Sequence, residues 1–246
     1  MTHWPGREIK MDNNDLIEVS DLRVKRNSFT LHVPEWRVAP GQVIGLVGPN
    51  GAGKTTLLEA LAGLRAVHGG RIRVFGRNPW TAPVEVRTSL GFMSDDMPLF
   101  ALRIGKLLRL ISGYYETWDK DLVEELLDKF KLDPRQKVFK LSKGQGTRIR
   151  LITAMAFRPR VLLLDEPASG LDLAGRHSLL ESVLDVVRDP TRSVIVSSHM
   201  LQDVERISDR LLVLNKGGVV KEGPTSELVG DERTLEEALV AWGAAG

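Results

Sequence analysis

The stretch QVIGLVGPNGAGKTTLLEALAG, from Gln42 to Gly63, constrains the fold more than any other part of the chain. It opens with a short continuous apolar run, QVIGLVG (42–48), of the kind a strand buried on both faces shows. A glycine-rich turn follows, and Lys54 to Leu61 has a helical pattern. Strand, glycine turn and helix in that order begin a phosphate-binding α/β unit. Gly48 to Thr55 reads GPNGAGKT and fits G-x-x-x-x-G-K-[ST]. In that pattern Gly48, Gly51 and Gly53 allow tight turns, so that successive N–H groups and the positive end of the helix face the phosphates. Lys54 then reaches the β- and γ-phosphates of a nucleotide, and Thr55 offers its hydroxyl to Mg²⁺.

The rest of the chain fits one large α/β domain rather than two independent ones, because 246 residues lie near the upper end of what a single core supports. Residues 1–14 are polar without a hydrophobic period and read as a flexible arm, with structure beginning near Leu16. Phe29 to Val38 alternates like a strand. From about 98 to 157 the runs ALRIGKLLRLISGYY and DKDLVEELLDKF carry apolar residues at three-four spacing, which predicts an inserted helical subdomain. After Arg160 the short apolar runs VLLL (161–164), SVIVSS (193–198) and RLLVLN (210–215) return between helix-like segments, followed by a final strand and one or two short helices.

VLLLDEP (161–167) is an apolar strand that ends in two carboxylates, and carboxylates at the carboxyl end of such a strand point into the ligand crevice of an open α/β sheet. Asp165 is placed to hold Mg²⁺ beside Thr55, directly or through water. Glu166 is placed to polarise the attacking water as general base. Between this strand and the glycine turn lies LSKGQ, Leu141 to Gln145, just before the helical run TRIRLITAMAF. By itself Ser142 reads as a helix N-cap.

Taken in order, GPNGAGKT, LSKGQ and LLLDEP resemble the ATP-binding domain of ABC transporters, over nearly the whole chain from Leu16 to about Pro224. The resemblance implies a P-loop fold of ABC type with an antiparallel β portion near the amino terminus. It implies ATP held on Gly48, Pro49, Asn50, Gly51, Ala52, Gly53, Lys54, Thr55 and Thr56. It further implies that Ser142, Lys143, Gly144 and Gln145 meet the ATP of a second subunit, the following helix adding its positive end. ASGLD (168–172) is similar to the D-loop, which puts Asp172 at the dimer seam, and VSSHM (196–200) places His199 as the switch histidine beside Glu166 in catalysis. SGYYETWDKDL resembles a branch of small bacterial ATPases serving exporter-type permeases, and Tyr114, Tyr115 and Trp118 read as subdomain core or a permease-facing patch.

Departures from the family pattern are specific. The signature is LSGGQ, and Lys143 replaces its third residue. Where the family has a metal-reaching glutamine after the strand written here LGFMS, this chain has Asp95 and Asp96. Asp95 is therefore a candidate Mg²⁺ ligand, with a solvated acidic turn as the other reading. The family's adenine-stacking aromatic is absent from RVKRNSF; Lys25 or Arg26 falls at that point, and Phe29 is the nearest ring.

Composition narrows the class. Basic and acidic residues number 34 and 32, a net charge of +2, so no global field points to nucleic acid, and none is expected as a partner. Cysteine is absent, which excludes disulfides and thiolate chemistry. The first twenty residues lack a signal-like apolar stretch, and no run approaches the ~20 residues a spanning helix needs. The expectation is a chain at the cytoplasmic face of the membrane, bound to separate membrane-spanning permease subunits and paired with a second copy or a related subunit. A soluble ABC ATPase of a cytoplasmic assembly complex is the alternative.

Overall fold

The buried run read at residues 42–48 forms β3 (Val43–Val47), in which every residue is buried. Its position was earned by composition, since a strand covered on both faces has no use for a polar side. The computed structural model describes residues 15–230 and 234–244. The arm expected at 1–14 lies outside the described residues.

Ahead of β3 run β1 (Ile17–Arg26) and β2 (Phe29–Val38), an antiparallel hairpin turned at Asn27, whose φ of 54° is one that asparagine tolerates. After β3 come α1 (Lys54–Leu61), β4 (Gly69–Val74), α2 (Pro83–Arg87) and β5 (Leu90–Ser94). Helices α3 (Ile104–Ser112), α4 (Lys120–Lys129) and α5 (Lys143–Met155) follow, with a 3-10 turn at Val138–Lys140. All three helices fall within the helix-rich stretch expected from 98 to 157. The chain then alternates through β6 (Val161–Asp165), α6 (Leu173–Val187), β7 (Ser193–Ser197), α7 (Leu201–Ile207) and β8 (Arg210–Asn215). It ends in β9 (Gly218–Pro224), α8 (Thr225–Val229) and α9 (Leu235–Ala241).

These strands make one nine-stranded sheet in the order β4-β1-β2-β9-β8-β3-β7-β6-β5. From β8 through β3, β7 and β6 to β5 every pairing is parallel, whereas β1 pairs antiparallel with both β2 and β4. The expected mixed α/β sheet with an antiparallel amino-terminal portion is thus the fold observed. Because successive strand residues face opposite sides, β6 supplies two cores. Val161 and Leu163 pack into the cluster that holds Leu57, Leu58 and Leu61 of α1. Leu162 and Leu164 pack into the cluster of Ile149 and Ile152 of α5 and Leu179 and Val183 of α6. Each such leucine contributes about 1.5–3 kcal/mol on burial, so β6 is held rigidly between helices. Register places Leu46, Ser197 and Asp165 side by side across β3, β7 and β6, and Ser94 beside Asp165 on β5. The carboxyl ends of four parallel strands therefore share one edge.

Candidate functional site

Gly48 follows β3 directly with φ 142°, and a Cβ there would run into the carbonyl oxygen of Leu214. Gly53, the N-cap position of α1, has φ 111°, and a Cβ on it would come within 2.9 Å of Leu31 and 3.1 Å of the Phe29 ring. Glycine is required at both places by backbone geometry and by space. The turn is braced by Ala52 N–H donating to Pro49 O at 3.1 Å and by Gly217 N–H donating to Ala52 O at 3.1 Å. Lys54 folds back over it, with Nζ donating to Gly48 O at 2.7 Å and to Pro49 O at 3.2 Å. The residue is only 7% exposed, and burial lowers its ammonium pKa, with the Glu166 and Asp165 carboxylates opposing that shift. The structure thus brings Lys54 into the field of the two acids that end β6. Thr56 is buried and Thr55 half-buried in the first turn of the same helix.

Asp165 is 5% exposed and its Oδ1 accepts a 2.6 Å hydrogen bond from Ser197 Oγ. Glu166 leaves the strand with φ 51°, a strained value for a non-glycine residue, which turns its side chain away from the direction the strand would give it. Its N–H donates to both Ser197 O and Ser197 Oγ at 3.1 Å. Its Oε2 lies 2.6 Å from His199 Nδ1 and accepts the His199 N–H at 3.2 Å. Ser197 therefore fixes both acids at once. Sequence reasoning quoted VSSHM but singled out only His199; the signal for Ser197 was its place as the last residue of a buried strand beside DE.

Ser142 caps α5: its Oγ accepts from Gln145 N at 3.2 Å, and Gln145 Oε1 accepts from Ser142 N at 3.1 Å, a reciprocal capping box. Gly144 packs under the loop after β6, since a Cβ there would lie 3.2 Å from Gly170 O. Lys143 Nζ donates to Ser169 Oγ at 3.1 Å. Among the described residues Ser142 to Gln145 make no hydrogen bond or ion pair with Gly48 to Thr56, so within one chain the two motifs make separate surfaces. Asp172 caps α6 through Gly175 N at 2.9 Å and lies 3.7 Å from Arg148, largely exposed. Asp95 is half-buried and ion-paired: Lys143 Nζ lies 2.9 Å from Oδ2 and Arg150 Nη1 3.7 Å from Oδ1. Two cations on α5 draw the carboxylate toward that helix, and among the described residues no three histidine, aspartate or glutamate side chains converge as a metal group.

The family model described as ABC transporter matches residues 31–169 of the chain. The chain belongs to the ABC transporter family. It is 33% identical over 93% of its length to the daunorubicin/doxorubicin resistance ATP-binding protein DrrA of Streptomyces peucetius, of which it spans 68%. It is equally identical, 33% over 92% of its length, to Nod factor export ATP-binding protein I of Neorhizobium galegae, of which it spans 70%. A solved ATP-binding subunit of an ABC transporter superposes with a TM-score of 0.85 at 26% identity, covering 93% of this chain and 99% of that one. CbiO1 of Clostridium perfringens, part of the ABC transporter complex cbiONQ, shares the fold with a TM-score of 0.74 at 22% identity, over 92% of this chain and 95% of that one.

As an ABC transporter ATP-binding subunit the chain is an ATP-binding ATPase, and the buried Asp165 and half-buried Glu166 at the sheet edge suit that chemistry. Among the described residues no helix is long and apolar enough to cross a membrane. The aromatic residues of the SGYYETW segment divide. Tyr115 stacks on Phe157 with ring centroids 3.9 Å apart, Trp118 packs against the helical core, and Tyr114 is 75% exposed.

Proposed function

We propose that the chain hydrolyses ATP at a head-to-tail seam with a second copy or a related subunit, and that closure of this seam drives membrane-spanning subunits contributed by other chains. The observation that carries the reading is the Ser197-centred pair of acids: a buried Asp165 and a backbone-strained Glu166 held 2.6 Å from His199, in the field of Lys54. Glu166 polarises the attacking water. His199, its Nδ1–H donating to Glu166, reaches the γ-phosphate through Nε2–H when the ring carries both protons. Thr55 and Asp165 give the all-oxygen donor set that Mg²⁺ takes, and the cation supplies charge neutralisation on the phosphate oxygens when bound with ATP. Gly48 to Thr56 cradle the phosphates, and Phe29, packed beside Gly53, is the ring available to an adenine at that end of the loop.

The separation of Ser142 and Gly144 from the phosphate loop of their own chain supports a composite site. In this reading Ser142, Lys143, Gly144 and Gln145 cover the nucleotide of the facing subunit, with Asp172 at the seam, and the alternation of closed and open pairs is the two-state element that does work. An apolar groove of about 310 Å³, lined by Leu64, Arg87, Phe92, Met97, Tyr115 and Phe157, supports a permease seat between α2, β5 and the helical segment. Phe100 and Tyr114, exposed by 62% and 75%, extend the apolar surface of that segment. Resistance and export in the names of two relatives favour an exporter-type assembly at the cytoplasmic face of the cell membrane.

Mixing tests the shared site. Lys54→Ala disables one chain's phosphate loop and Ser142→Arg blocks the other chain's cover, so each variant alone is inactive. A mixed pair retains one intact site, and ATP hydrolysis returns on mixing. If the site were confined to one chain, the mixture would stay as inactive as its parts.

A further inference from the structure

We propose that Asp95 is a positioning residue: through Lys143 and Arg150 it clamps the first turn of α5, and with it Ser142, to the carboxyl end of β5. The inference rests on the composite-site reading above. Two of the positions at which the chain departs from the family motifs, Asp95 and Lys143, meet in space at 2.9 Å. Neither departure is intelligible alone. Lys143 is the first residue of α5, where the helix macrodipole already presents positive charge, and the first turn of α5 contains no acidic residue of its own. Asp95 supplies the missing anion from another element, and supplies it to the helix end and to Lys143 together.

The clamp reaches three segments. Asp95 follows Ser94, which pairs with Asp165 in the sheet, so its backbone is anchored beside the site acids. Arg150, two turns along α5, approaches Asp95 Oδ1 at 3.7 Å and donates from Nε to Met97 O at 2.7 Å, which ties the loop after β5 to the helix. Lys143 donates to Ser169 Oγ, and Ser169 N–H donates at 3.1 Å to Glu166 O. The stem of Lys143 lies over Gly170, where a Cβ would come 2.9 Å from Lys143 Cδ. One carboxylate thus orients the cap of α5 relative to both the cation-side strand ends and the loop that carries Glu166.

An exposed ion pair contributes little to global stability, so the consequence falls on orientation. Loss of either partner breaks the same contact, so loss of both costs no more than loss of Asp95, which also releases Arg150. The test uses Glu166→Gln as parent, with ATP-driven pairing followed by light scattering and with Mg²⁺ titration of ATP binding to the unpaired chain. Asp95→Asn and Lys143→Met each weaken pairing by about threefold to tenfold, and D95N/K143M together weaken it no further than Asp95→Asn alone. The Mg²⁺ concentration needed for ATP binding stays unchanged in Asp95→Asn. A shift of that concentration by about tenfold makes Asp95 a metal ligand and overturns the clamp, as do single effects that simply multiply in the double variant. Should the parent fail to pair at all, the composite site falls while the clamp stays testable. Amide exchange across residues 142–146 of the unpaired chain then accelerates in each single variant and in the double no further than in Asp95→Asn, and unchanged exchange refutes it.

Discussion

Glu166 Oε2 lies 2.6 Å from His199 Nδ1 while also accepting the backbone N–H of the same histidine at 3.2 Å. The two bonds separate side chain from backbone. His199→Ala keeps the backbone bond and removes the ring, so ATP binding stays within about threefold while hydrolysis falls by roughly 10²-fold or more. Steady-state phosphate release beside a nucleotide titration checks the split; equal loss in both would make His199 a structural residue.

Ser197 is the hinge of the acid pair, donating to Asp165 and accepting from Glu166 N–H. Ser197→Ala leaves the buried Asp165 carboxylate short of a donor and costs about 1–3 kcal/mol. Urea unfolding measures the loss, and hydrolysis falls with it because Asp165 loses its hydroxyl donor, while Glu166 keeps its bond to Ser197 O.

Lys54 gives the pH dependence. Its folded pKa is lowered from the usual 10.5, mainly by burial. The charged form therefore weighs against folding at neutral pH, and that cost is relieved as pH rises from the folded value toward the unfolded one. ATP has the opposite preference, because the phosphates need the ammonium charged. ATP affinity accordingly declines with rising pH below 10.5, and Lys54→Arg, whose guanidinium stays protonated, loses that decline while binding more weakly. Isothermal titration across the alkaline range reads the slope directly.

The three glycines of the phosphate loop are not equivalent. Gly48→Ala meets Leu214 O and abolishes ATP binding or folding, whereas a Cβ on Gly51 meets nothing within 4 Å. At φ 79° Gly51→Ala costs about 1–2 kcal/mol of backbone strain alone. Thermal unfolding of the two variants separates clash from strain.

What the sequence made legible follows from how local each signal is. The phosphate loop is a contiguous motif whose glycines, lysine and helix start are all within eight residues, and β3 and β6 declare themselves by unbroken apolar runs. β4 and α2 were missed: GGRIRV has too few apolar residues to show a period, and PVEVR is too short for one. The ion pairs of Asp95 were missed for a different reason. Its partners Lys143 and Arg150 lie some fifty residues away on α5, and only the folding of that helix against β5 brings the charges together. Phe29 gives the same lesson, being near Gly53 because β2 and the loop converge and not because of any spacing.

The proposed role of Glu166 as the base at a shared seam is tested in both respects by Glu166→Gln. The substitution keeps size and hydrogen bonding but removes the base, so hydrolysis falls by roughly 10² to 10⁴-fold while ATP stays bound. Light scattering with Mg·ATP then reports a dimer, which disappears when Ser142→Arg is added to the same chain. Normal hydrolysis by Glu166→Gln, or a dimer indifferent to Ser142→Arg, would contradict it.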